Sequence, residues 1–88
     1  MSVSAREAVK LIAKNIGNPS FKIIDVRTNS ERQASFIPNS EHLPLNSIQN
    51  QLASLNRGNT YLVYCRTGRR SQEATRMMRS YGLEAINL

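Results

Sequence analysis

Tyr61-Leu62-Val63-Tyr64-Cys65-Arg66-Thr67-Gly68-Arg69-Arg70-Ser71 is the stretch on which the fold turns. Its first four residues form an apolar run that reads as a buried strand, with Thr60 ahead of it, so a strand is expected over 60–64. The residues after it carry a helical stripe. Ala74, Met77, Met78 and Tyr81 stand at i, i+3, i+4 and i+7, which predicts a core-facing face on a helix over 70–80. Gly82 follows as a natural terminator. A buried strand passing through a short Arg/Gly loop into an amphipathic helix is half of a βαβ unit and points to an α/β fold.

The same alternation continues outward. Ser4-Ala5-Arg6-Glu7 has capping-box spacing, and Ala8, Leu11, Ile12 and Ile16 recur behind it at helical intervals until Gly17-Asn18-Pro19. Phe21 to Val26 reads as a short buried strand, with Asp25 and Arg27 bracketing its carboxyl end. Thr28 and Glu31 repeat the capping-box spacing, which predicts a short helix over 29–34. Ile37-Pro38-Asn39-Ser40 reads as a turn, and His42-Leu43-Pro44-Leu45 as an extended segment. A further helix is expected to place Ile48, Leu52 and Leu55 on one face, and Ala85-Ile86-Asn87-Leu88 to form a last strand.

Strands joined through helices run parallel, with right-handed crossovers. Asp25–Arg27 and Cys65 then share the carboxyl edge of one sheet, where open α/β sheets bind ligands. A thiol at a strand-to-helix corner lies beneath converging backbone N–H groups and at the positive end of a helix dipole. Both favour thiolate over thiol. The expected chemistry is therefore at sulfur, on small anions.

Size and composition bound the alternatives. The 88 residues are expected to make one domain, 1–88, with a modest core. The single cysteine can form no internal disulfide, and with a single histidine it supplies no credible metal site. The longest apolar runs are only a few residues, too short for a signal peptide or membrane span. A cytoplasmic protein with a reduced thiol and no membrane partner is expected. Formal net charge is +6, and Arg66, Arg69, Arg70, Arg76 and Arg79 gather at and after the cysteine against Glu73 alone. None of the five aromatics is interleaved with these arginines, so small anions or an acidic partner protein are favoured over specific nucleic-acid binding.

Taken together, Ile24-Asp25-Val26-Arg27 with Glu31, Ile37-Pro38, His42-Leu43-Pro44-Leu45, the strand into Cys65-Arg66-Thr67-Gly68-Arg69-Arg70-Ser71, and Tyr81-Gly82-Leu83 resemble a single-domain rhodanese. The resemblance implies an α/β fold with a central, mostly parallel sheet flanked by helices. It implies transfer of sulfane sulfur through a persulfide on Cys65, with no cofactor. Thiosulfate is the usual assay donor and cyanide the usual assay acceptor, while thiols or other proteins serve in the cell. Related phosphatases of the cell-cycle type have a loop one residue longer, and phosphate binders of this kind need Cys, five residues, then Arg. Here Ser71 holds that place and Arg70 falls one position early. Ser35-Phe36 stands where the family usually has Gly-His, and Asn39 where Gly usually follows Ile-Pro. Relatives usually continue beyond the last strand into a closing helix, and this chain stops at Leu88. The missing cover is expected to expose apolar surface near Ile86 and Leu88 and to favour self-association or docking through that edge.

Each residue carries a plain structural reading beside the functional one. Cys65 is the expected nucleophile and sulfur carrier; a buried structural cysteine is the alternative. Arg66 and Arg69 are expected at the mouth of the substrate loop, or else as solvated charge. Thr67 and Gly68 complete that loop, and Gly68 lets it curl. Ser71 offers a hydroxyl to the sulfur or caps the helix. The resemblance implies that Arg70 folds back onto acidic residues as a brace, with Asp25 and Glu31 as candidates. Asp25 and Arg27 read as an ion pair that supports the fold, and His42 as a structural histidine rather than a base. A non-catalytic rhodanese-like binding or regulatory module is the second functional reading.

Overall fold

Two capping boxes start the first two helices where the spacing predicts them. The computed structural model describes residues 1–88. In α1 (Ala5–Lys14) the Glu7 N–H donates to Ser4 Oγ and the Ser4 N–H to Glu7 Oε1. In α2 (Asn29–Ala34) Thr28 and Glu31 make the same exchange. The remaining elements are β1 (Phe21–Asp25), β2 (Glu41–His42), α3 (Leu45–Ile48), β3 (Thr60–Tyr64), α4 (Arg69–Ser80) and β4 (Glu84–Asn87).

The four strands form one parallel sheet in the order β2-β1-β3-β4. The chain leaves β1 for β2 on one side and returns to place β3 on the other. The order thus reverses between β1 and β3, the crevice where such sheets bind ligands. Register brings the two carboxyl ends level, from Phe21 beside Thr60 to Asp25 beside Tyr64. Arg27 and Cys65, which follow these ends, are thereby delivered to one place.

Side-chain alternation sorts the sheet into two faces. Ile24, Val26, Tyr61, Val63 and Ala85 share a core with Ala74 and Met78 of α4 and with Ile48, Leu52 and Leu83. Asp25, Ile23, Leu62 and Tyr64 are buried on the opposite face. Strands buried on both faces explain the near-continuous apolar runs in the sequence.

α4 ends in a Schellman motif. The Leu83 N–H donates to the Met78 carbonyl and the Gly82 N–H to the Arg79 carbonyl, with Gly82 at φ +88°. Leu83 and Met78, the C″ and C3 residues of that motif, both lie in the core. Asn39 adopts φ +68°, so the turn after Ile37-Pro38 keeps a left-handed residue without glycine.

Three expectations are corrected. Ile16 is not on the core face of α1, because Asn15 caps the helix by donating its side-chain amide to the Leu11 carbonyl, and Ile16 is left 81% exposed. Residues 45–55 do not form one helix but α3 and a separate 3-10 turn over Leu52–Ser54. The Ser47 and Ser54 hydroxyls bond the carbonyls three residues back, local bonds of a kind that competes with a continuous helix. Ile48 and Leu52 are buried nonetheless. Tyr81 is the C-cap of α4 and is 42% exposed beneath the Arg57 guanidinium, while Ser71 and Thr75 occupy the buried face instead.

The outer edge of β4 is not bare. The Val3 N–H donates to the Asn87 carbonyl and the Asn87 N–H to the Met1 carbonyl, so residues 1–3 lie along it as a short parallel bridge. β4 ends at Asn87, and the Leu88 N–H still donates to the Val63 carbonyl.

Candidate active site

Cys65 leaves the buried end of β3 and sits at the foot of α4. Gly68, at φ +85°, turns the chain so that the helix begins at Arg69. That conformation suits glycine and strains other residues. The turn folds the loop over the sulfur. The Gly68 N–H donates to Cys65 Sγ at 3.1 Å and the Ser71 N–H at 3.4 Å, and Ser71 Oγ lies 3.3 Å away. The N–H groups of Arg66, Arg69 and Arg70 meet no acceptor within the chain. They leave a donor-rich rim beside a partly exposed sulfur.

Burial pushes the Cys65 thiol up. The Ser71 hydroxyl and the backbone N–H groups of Ser71, Thr67 and Gly68 outweigh it, and the thiol is held below its ordinary value. Arg66, Thr67 and Arg69 are exposed around it, and neither Arg66 nor Arg69 enters any of the chain's ion pairs.

Arg70 is engaged elsewhere. Its Nη1 and Nη2 donate to the two oxygens of Glu31 at 2.7 and 2.8 Å. This fork-to-fork pair has good geometry for a guanidinium and a carboxylate. It holds Glu31 well below the usual carboxylate range and raises Arg70. Glu31 also accepts from the Thr28 N–H and hydroxyl, so one side chain caps α2 and ties it to the first turn of α4. Of the two acids the sequence offers as partners for Arg70, the structure selects Glu31.

Asp25 serves a separate node. It is fully buried. Its Oδ1 accepts from the Arg27 N–H at 2.9 Å and from Arg27 Nε at 3.0 Å. Its Oδ2 accepts from Arg27 Nη2, Arg32 Nη1 and the Tyr64 hydroxyl at 3.0, 3.1 and 3.0 Å. Burial alone would raise this carboxyl, but the bonds from Arg27, Tyr64 and Arg32 hold it below its ordinary value. Arg27 also donates to the Ser35 carbonyl at 2.6 Å. His42 Nε2 donates to the Arg27 carbonyl at 2.7 Å, a structural contact.

Sequence reasoning missed Arg32 and Asn87. Arg32 bridges Asp25 to the Ser40 hydroxyl and carbonyl, and its guanidinium lies 4.4 Å from the centre of the exposed Phe36 ring. The Ser35-Phe36 pair, unusual at this place, thus supplies an acceptor for Arg27 and a platform for Arg32. Nothing in the linear pattern marks Arg32, one more charge in a short polar helix. Asn87 lies beside Val63 in the register of β4 on β3, and its Oδ1 accepts from the Ser71 hydroxyl. Its place as the one polar residue in the expected strand Ala85-Ile86-Asn87-Leu88 was the available signal. No group of three or more His, Cys, Asp or Glu side chains could hold a metal ion. No helix is long and apolar enough to cross a membrane.

The family model of the rhodanese-like domain matches residues 8–88. The chain is 33% identical over 67 residues to YrkF of Bacillus subtilis (strain 168), designated a sulfur carrier protein. It is 40% identical over 63 residues to a tRNA sulfurtransferase of Thermoplasma acidophilum. These alignments cover 76% and 72% of this chain but only 36% and 12% of those relatives. Among solved structures, a rhodanese-like domain protein from Staphylococcus aureus superposes with a TM-score of 0.84 at 30% identity, covering 99% of this chain and 82% of that one. With its parallel sheet, its cysteine loop at the carboxyl edge and these similarities over nearly its whole length, the chain belongs to the rhodanese-like domain family, among whose members it resembles proteins designated for sulfur carriage and sulfur transfer.

Proposed function

We propose that the chain is a sulfurtransferase that carries sulfane sulfur on Cys65. In the first half-reaction the Cys65 thiolate attacks the outer sulfur of thiosulfate or of a persulfide donor. A bond forms between Sγ and that sulfur, the donor's S–S bond breaks, and sulfite or a thiolate leaves with the electron pair. In the second half-reaction a thiol, a protein acceptor or, in the assay, cyanide takes the outer sulfur, and the electron pair of the S–S bond returns to Sγ. The scheme is a double displacement with ping-pong kinetics.

One observation carries the reading: Cys65 Sγ is the focus of two backbone N–H groups and a hydroxyl, with further free N–H groups beside it. Such donors stabilise negative sulfur, on Sγ in the free chain and, through the rim N–H groups, on the outer sulfur once it is loaded. Arg66 and Arg69 draw the anionic donor, and Arg70 and Glu31 hold the loop in shape. A reducing cytoplasmic setting suits a carrier that works as a thiolate. Steady-state rates with thiosulfate and cyanide test the proposal. Parallel double-reciprocal lines that vanish in Cys65→Ser are expected. A chain that turns over no donor and takes up no sulfur would instead be a rhodanese-like binding module.

A further inference from the structure

Ser71 has one hydroxyl proton and more than one place to put it. Its Oγ lies 3.3 Å from Cys65 Sγ and within hydrogen-bond reach of Asn87 Oδ1, with the Leu88 carbonyl at 3.5 Å. Ser71 and Asn87 are both buried, so these groups compete directly. Asn87 is held in place from several sides. Its backbone N–H and carbonyl pair with residues 1–3, and its Nδ2 points to the Gly68 carbonyl and Ser2 Oγ, both at 3.4 Å. The neighbouring Gly68 carbonyl favours the amide nitrogen on that side and so turns Oδ1 toward Ser71.

We propose that Asn87 is a positioning residue for the sulfur site: its side-chain oxygen competes with Cys65 Sγ for the Ser71 hydroxyl proton, and so tunes how readily Cys65 becomes a thiolate. In the thiol state a relay is complete. The Cys65 S–H donates to Ser71 Oγ and the Ser71 O–H to Asn87 Oδ1. In the thiolate state the sulfur is a charged acceptor, and a charge-assisted bond is about twice as strong as a neutral one, so the hydroxyl turns to Sγ and leaves Asn87. On the sulfur-transfer reading, on which this last step rests, loading moves the negative charge to the outer sulfur. Sγ becomes a weak acceptor, and the hydroxyl returns to Asn87. The Ser71 proton changes partner in this cycle and stays on the same oxygen throughout.

The test is a titration of Cys65 in the full chain, which needs no sulfur donor. The rate of iodoacetamide alkylation against pH reads this thiol alone, because the chain has no other cysteine. The charged groups around it are Arg66, Arg69 and Arg70 on its own loop, Asp25 and Arg27 at the end of β1, and Glu31 on α2. β4 brings no charged side chain to this end, since Glu84 lies at its start, but the α-carboxyl of Leu88 in the 88-residue chain has an oxygen 3.5 Å from Ser71 Oγ. All are unchanged in the variants. Asn87→Ala removes the competing acceptor, so the Cys65 pKa should fall by about 0.5–1 unit, the equivalent of one neutral hydrogen bond. Ser71→Ala should raise it, and Asn87→Ala should then have no further effect. If Asn87 merely supported the loop, its removal would slacken the N–H donors and raise the pKa in both backgrounds. A rise, an unchanged value, or an equal shift with and without Ser71 would overturn the proposal. Should Asn87→Ala fail to fold, Asn87→Asp takes its place. Its carboxylate accepts the Ser71 proton more strongly, so the pKa should rise further with Ser71 present than in Ser71→Ala, and equal rises would overturn the proposal. The outcomes are separable from those of the sulfur-transfer reading. Persulfide formation without these shifts defeats the role of Asn87, and the shifts without persulfide formation defeat sulfur transfer.

Discussion

At the scale of single residues the chemistry turns on how Cys65 is solvated by its own backbone. Its thiol lies below the ordinary value, about 8.5 in model peptides, because hydrogen bonds to the sulfur outweigh burial. The half-maximal rate of iodoacetamide alkylation should therefore fall at lower pH than for a small thiol measured alongside. A midpoint at or above that of the small thiol would contradict the geometry. Gly68→Ala should slow turnover and cost about 1–2 kcal/mol, because the left-handed backbone is strained by a side chain even though a new Cβ would make only an ordinary contact, with the Leu88 carbonyl oxygen at 3.5 Å. Thermal melts and kcat read the two effects separately. Cys65 and Gly68 were legible in the sequence because the only cysteine sits at a strand-to-helix corner and the loop needs one permissive residue. Asn87 was not, because its reach to Ser71 depends on the register of β4 against β3, which no local pattern states.

At the scale of elements, Glu31 joins the start of α2 to the start of α4. Its two tasks, capping and bracing, make it more than a surface charge. Arg70→Ala and Glu31→Gln should each lower kcat, and the double variant should lose little more than either single one. Strict additivity in kcat would mean that the two side chains act independently. The capping boxes made both short helices readable, since their residue spacing encodes the bond itself. The same reasoning failed over 45–55. Apolar spacing there suits a helix, but serine hydroxyls bonded to nearby carbonyls accompany a break into shorter turns while the same side chains stay buried. Helical periodicity also placed Tyr81 on the core stripe, where the Schellman turn at Gly82 instead ends the helix and leaves the ring on the surface.

At the scale of the whole molecule, the sheet order places β1 and β3 side by side and the Asp25 node locks their ends. Breaking a buried ion pair from one side is costly, so Asp25→Ala should lose about 3–5 kcal/mol of stability. Asp25→Asn keeps the shape and isolates the charge. The Asp25 carboxyl is depressed in the folded state, so the unfolded chain binds more protons across the acid range. The stabilisation is full above the unfolded value, about 3.9, and is lost as pH falls through the folded one. Denaturation midpoints should separate wild type from Asp25→Asn at neutral pH and converge in acid. A gap independent of pH would assign the loss to packing. Parallel order was legible from strands alternating with helices. The convergence of Arg27, Arg32 and Tyr64 on one carboxylate was not, because it is assembled from three separate segments. The expected self-association rests on apolar surface near Ile86 and Leu88 left without a covering helix, and residues 1–3 pair with the β4 edge beside it. A groove lined by Met1, Leu83, Ala85 and Ile86, together with the charged Arg79 and Glu84, remains beside it. Light scattering across a concentration series reads whether this groove pairs. Mass that rises with concentration and falls on Ile86→Lys would support association through this edge, and a constant monomer mass would mean that residues 1–3 suffice to cover it.

The central claim is that Cys65 carries the sulfur, and intact-mass measurement tests it most directly. After incubation with thiosulfate, the wild-type chain should gain the mass of one sulfur atom, lose it on treatment with a reductant, and show no gain in Cys65→Ser. An unchanged wild-type mass across several sulfur donors, or an equal gain in Cys65→Ser, would contradict the account.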